Sequence, residues 1–153
     1  MPESEAKQLD GFIAKFSPGI AAMTNAVLKK MRKRYPTAQV LVYDNYNALA
    51  IGFGPSEKAG EAIFSIAVYP KWVSLFFLQA KGVPDPEGLL KGSGNVARHV
   101  VLGSPNDLEI PAIVAMMEAA VELAKAPFAD KGRGRLVIKS VSAKQRPRRP
   151  AAK

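Results

Sequence analysis

An α+β domain of two layers is predicted, with an antiparallel sheet of about five strands and N-terminal and C-terminal helices packed on it. Two observations carry this prediction. Apolar residues recur at helical spacing near both ends of the body, over residues 6–34 and 110–125. Between them lie short β-branched and aromatic runs, close together in sequence, which favours a meander.

Leu9, Phe12, Ile13 and Phe16 define the first helix, over 6–16. Ser17-Pro18 reads as an N-cap followed by proline at the first helical position. The second helix runs to about Arg34, with Ile20, Thr24, Val27, Leu28 and Met31 on one face, and Pro36 ends it. Strands are expected at 40–43, 48–53, 62–69 and 72–78. Ala62, Phe64, Ile66 and Val68 share one face of the third. The fourth is apolar on both faces, which suits a central strand or one covered by a partner. Residues 79–96 hold Gly82, Pro84, Pro86, Gly88, Gly92 and Gly94 and form a long loop. A fifth strand is expected at 98–102. A helix follows at 110–125, with Ile110, Ile113, Val114, Met117 and Val121 in a stripe.

Residues 1–128 therefore form the domain, and 129–153 a basic C-terminal tail. Within the tail, 135–142 offers one more strand at a sheet edge. Beyond Ser142 the Arg-Pro composition cannot form a core, so disorder in the unbound chain is expected. The charge is split along the same line. The tail has nine Lys or Arg against one Asp, a net +8, whereas 1–128 have thirteen against twelve acids, a net +1.

The absence of cysteine excludes disulfides, thiolate metal sites and cysteine nucleophiles. With no basic-then-apolar leader and no apolar run near membrane-spanning length, a cytoplasmic, non-membrane protein is expected. No cofactor motif is complete. Gly92-Ser93-Gly94 resembles a fragment of a phosphate loop, but its spacing is wrong and no Gly-Lys-Ser/Thr follows, so turn formation is the simpler role and no cofactor is expected.

Chemistry-bearing residues fall in two groups. Tyr43, Asp44, Asn45 and Tyr46 crowd one turn, where they can bind a ligand or serve as an Asx-type turn at the sheet edge. Lys81, Asp85 and Glu87 in the long loop, with Arg98 and His99 on the next strand, would complete a site between turn and loop. His99 is the only histidine, so it cannot form a metal site alone, and no acid–base pair or nucleophile elbow is apparent. No catalytic residue is assigned.

The second helix carries Lys29, Lys30, Arg32, Lys33 and Arg34, by default a solvated face. In the tail, Arg133, Arg135, Lys144, Arg146, Arg148 and Arg149 are candidates for contacting nucleic acid or another polyanion. Trp72, Phe76 and Leu78 are expected on a face the helices leave open, a surface suited to a homodimer.

Two stretches, Val42-Tyr43-Asp44-Asn45-Tyr46-Asn47-Ala48-Leu49-Ala50-Ile51-Gly52-Phe53 and the loop from Lys81-Gly82-Val83-Pro84-Asp85-Pro86-Glu87 to Gly94, resemble the YdhG-like family of bacterial domains of unknown function. Arg98-His99-Val100 and Asp107-Leu108-Glu109 are similar too, and the resemblance covers about residues 5–126. It implies a sheet of about five antiparallel strands with helices against it. Some relatives are described as frataxin-like iron chaperones. The residues themselves point to a non-enzymatic binding module with a polyanion-attracting basic tail. The resemblance implies an alternative, an iron or metal chaperone, for which Asp44, Asp85 and Glu87 would be the first residues to test.

Overall fold

A computed structural model describes residues 4–92 and 96–150. Helix α1 (Glu5–Ala14) starts at Ser4, whose hydroxyl accepts from the Lys7 amide at 3.2 Å and supplies one missing helical acceptor. Helix α2 (Pro18–Arg34) starts as expected with proline at its first position, although the Ser17 side chain makes no capping bond. Five strands follow the expected segments: β1 (Gln39–Asp44), β2 (Leu49–Gly54), β3 (Phe64–Val68), β4 (Val73–Phe77) and β5 (Arg98–Leu102). A short 3-10 turn, Pro105–Glu109, leads to helix α3 (Pro111–Leu123). The chain then closes with β6 (Leu136–Val141).

Neighbouring strands β1 to β5 pair antiparallel in sequence order, a meander. The extra edge strand offered by 135–142 forms as β6, giving six strands. One expectation is corrected: the sheet is mixed, because β6 pairs parallel to β1 on the far edge. A parallel partner needs a long crossover, and residues 103–135, which contain α3, provide it.

Gly134 makes this pairing possible. Its amide donates to the Pro36 carbonyl, and a Cβ at this position would lie 1.6 Å from the Ala38 carbonyl oxygen. Only glycine lets the two backbones approach so closely. Glu5 adds a tie from the other side, its carboxylate accepting from the Ile138 amide at 2.7 Å.

One face of the sheet carries the core. Val40, Val42, Ile51, Phe53, Phe64, Ile66, Leu75 and Phe77 alternate inward and pack on Leu9, Ile13 and Phe16, on Val27 and Met31 of α2, and on Ile113 and Met117 of α3. The stripe of α3 is rotated from the expected one. Met116 and Ala120 are buried beside Ile113 and Met117, while Ile110, the N-cap just outside the helix, is exposed. Tyr35 roofs one end, its ring 5.3 Å from Phe64 and 5.2 Å from Phe128. Burial pushes its phenol pKa up to about 12. Leu41 and Ala67 are buried on the opposite face, outside this cluster. Among the described residues, no helix is long and apolar enough to cross a membrane.

Candidate functional site

Strand register separates the residues expected to form one site. Asp44, Leu49, Val68, Val73 and Leu102 align across one end of the sheet, and Val40, Phe53, Phe64, Phe77 and Arg98 across the other. The 45–48 turn therefore sits at the opposite end from the loop that links β4 to β5. The expected site between turn and loop does not form. Three meander strands, β2 to β4, separate the two connections, and only an even number would have brought them to one end.

Each half has its own local function. Asp85 accepts from the Leu89 and Leu90 amides at 2.8 and 2.9 Å, so its carboxylate folds the loop. Lys81, Asp85 and Arg98 share a hollow of about 330 Å³, and Glu87 lines a second hollow with Ala112 and Met116, which Asp85 borders too. Ser93 and Gly94 of the glycine fragment lie outside the described residues. His99 points away from Arg98, across the strand, and stacks on Phe76 with ring centroids 4.8 Å apart.

At the other end, Asp44 is fully buried and already partnered. Its Oδ1 lies 2.9 Å from Arg148 Nη2, and its Oδ2 lies 3.6 Å from Lys15 Nζ. Tyr43 points to the other face, and its hydroxyl is buried without a hydrogen-bond partner. Asp44 and the acids Asp85 and Glu87 are thus at opposite ends, and among the described residues no group of three His, Asp or Glu gathers at metal-binding distance. The ligand set expected for metal handling is not assembled.

The tail is also corrected. Residues 142–149 turn back over the body instead of leaving it. The Ser142 amide donates to the Asp44 carbonyl, and the Arg146 amide to that of Tyr46. The Gln145 side chain reaches the Asp44 carbonyl at 3.1 Å. The Arg148 guanidinium donates further to the carbonyls of Asn45 and Tyr46 and lies over the Phe16 ring. Arg149 donates to the Ala14 and Lys15 carbonyls at the end of α1, where a cation suits the helix dipole. Arg148 and Arg149 are therefore engaged inside the chain. Composition alone could not reveal this, because the partners are unpaired backbone carbonyls and one buried acid. Lys144 and Arg146 remain on the surface.

The basic surface that stays open is elsewhere. Lys29, Arg32 and Lys33 stand on one side of α2 at the i, i+3, i+4 spacing, and the 131–135 linker brings Arg133 to face them. Together they rim a cleft of about 710 Å³ between α1, α2 and the approach to β6. Its floor is apolar, with Leu9, Leu28 and Leu136, and Asp10 is its one acid. Lys30 pairs with Glu109 at 3.3 Å, and Arg34 donates to Met117 Sδ. Among the described residues, no carboxylate pairs with Lys29, Arg32, Lys33 or Arg133. The sequence signal was the basic run 29–34 itself. Arg133 was among the tail cations expected to contact a polyanion, but nothing in the sequence placed it across a cleft from α2.

No protein-family model, characterised protein or solved structure matches this chain.

Proposed function

We propose that this chain is a non-enzymatic binding module for polyanions, nucleic acid first among them, and that the cleft rimmed by Lys29, Arg32, Lys33 and Arg133 makes the phosphate contacts. The observation that carries this reading is the presence of four cations without carboxylate partners around one cleft that holds a single acid. Cations kept apart from acids create a positive potential that attracts phosphate. Lys131 and Arg135 extend the same charge along the linker. A non-enzymatic role is supported by how the reactive side chains are engaged, Asp44 in an ion pair, Asp85 in a loop cap and His99 in a ring stack.

The test is a salt titration of binding to a labelled single-stranded oligonucleotide. Four phosphate contacts predict a slope of about −3 in log K against log salt. The triple variant Lys29→Glu, Arg32→Glu, Lys33→Glu loses most of that slope. The pair Lys144→Gln, Arg146→Gln in the tail loses less. Equal affinity and slope in the triple variant and the parent would overturn the reading. Removing 129–153 outright is a poor test, because it also removes β6.

A further inference from the structure

The sheet face turned away from the helices carries a second surface. Alternation and register place Ala50 of β2, Ser65 and Ala67 of β3, Ser74 and Phe76 of β4, and His99 of β5 on it. Small side chains pave its middle and aromatic rings stand around them. Tyr69 stacks on Trp72 with centroids 4.6 Å apart and planes 20° from parallel. Phe76 and His99 form a similar pair at 23°. Tyr46 is 50% exposed and Trp72 42%, high values for such large rings. A groove of about 390 Å³ lies on this face, lined by Tyr46, Asn47, Ala50, Ala67, Tyr69 and Phe76 among others, and none of its lining residues is acidic.

The charge around this face indicates its occupant. The Arg146 guanidinium sits 6.0 Å from the Tyr46 ring centroid, and Lys71 lies in the turn directly before Trp72. The whole chain carries +9, so a second copy is repelled while a polyanion is drawn in. Exposed ring faces beside cations suit a polyanion that also offers planar groups. Flat aromatic side chains on a sheet, with Arg and Lys at the rim, are how proteins hold unpaired bases, because every base has a π-face.

We infer that this open face is a stacking surface for the unpaired bases of a single-stranded nucleic acid. The inference rests on the polyanion reading and narrows it from any polyanion to one with exposed bases. The helix-side cleft supplies attraction to phosphate, and the sheet face supplies discrimination.

Trp72 is the only tryptophan, so its emission reports on this face alone. The experiment titrates the full chain with a short oligothymidylate and, separately, with inorganic polyphosphate. Oligothymidylate is expected to quench Trp72 and to bind about tenfold more weakly to Tyr46→Ser. Polyphosphate is expected to bind without quenching and to ignore that substitution. Tyr46 is half exposed, so the variant keeps the fold, and Trp72→Leu read by anisotropy of a labelled oligothymidylate gives an independent check. If both probes bind parent and Tyr46→Ser alike and Trp72 emission does not move, the stacking face is wrong and the polyanion reading stands. If neither probe binds, both fall. If sedimentation finds a dimer that Trp72→Asp dissociates, the face joins two copies and the stacking inference is overturned.

Discussion

Arg148 Nη2 lies 2.9 Å from Asp44 Oδ1, across 104 residues of chain, with both side chains out of solvent. The contact joins the end of the tail to the end of β1, and Lys15 and Phe16 enclose it. A buried charge pair is weak evidence of net stabilisation, because desolvating two ions offsets their attraction. Breaking it is a different matter, since one charge is left in a low-dielectric site without a partner.

Arg148→Met should therefore destabilise the fold by about 3–5 kcal/mol, and Asp44→Leu by a similar amount. The double variant Asp44→Leu, Arg148→Met should lose clearly less than the sum of the two. Chemical denaturation of the four proteins measures this coupling. Additive losses would mean that the two groups act independently.

Gly134→Ala tests the seat of β6. A methyl group at that position meets the Ala38 carbonyl, so the linker must lift from residues 36–39. The expected cost is about 3 kcal/mol, with faster hydrogen exchange at the Val40 amide, which now donates to the Arg135 carbonyl. Gly132→Ala changes a position with open space around it but a φ of 93°, so its cost should be smaller, confined to backbone strain.

Tyr35 gives the chain a dependence on alkaline pH. Burial raises its pKa from 10.0 to about 12, so the fold favours the protonated phenol. That contribution is complete below pH 10 and is lost as pH rises through about 12. Comparison with Tyr35→Phe isolates it. The stability difference between parent and variant should be flat up to pH 10 and shift against the parent above it. A difference that stays constant to pH 12 would show that Tyr35 titrates normally.

Ser74 is a simpler case. Its hydroxyl is buried on the open face with no hydrogen-bond partner among the described residues. Ser74→Ala removes a polar group that burial disfavours, so stability should stay level or rise by about 1 kcal/mol. A loss of that size would point to an ordered water on the hydroxyl.

The parts of the fold legible in the sequence are those whose signal is local. The periodicities of residues 6–34 and 62–78 located α1, α2, β3 and β4, and Pro18 and Pro36 marked the limits of α2. The parallel partner of β6 was not legible. Leu136-Val137-Ile138 is a short run that fits many edges, and the feature that selects β1 is the close approach of Gly134 to Ala38. The candidate site shows the same division. Asn45–Asn47 was a correct turn, whereas Tyr43 and Asp44 belong to the end of β1, and nothing near Asp44 in sequence indicates that Arg148 fills its carboxylate. A count of charges could not distinguish Arg148, which is buried, from Arg133, which faces the open cleft.

The parallel seat of β6 has a consequence for the order of assembly. Until residues 136–141 are made and docked, β1 is an unpaired strand edge, and its centre is Val40-Leu41-Val42, apolar on both faces. Such an edge can recruit a strand from a neighbouring chain. The bond from the Ile138 amide to Glu5 spans 133 residues, so this tie between α1 and β6 also waits for residue 138. The nascent meander is thus exposed to intermolecular pairing until residues 136–141 arrive, and conditions that slow their arrival should favour aggregation over folding.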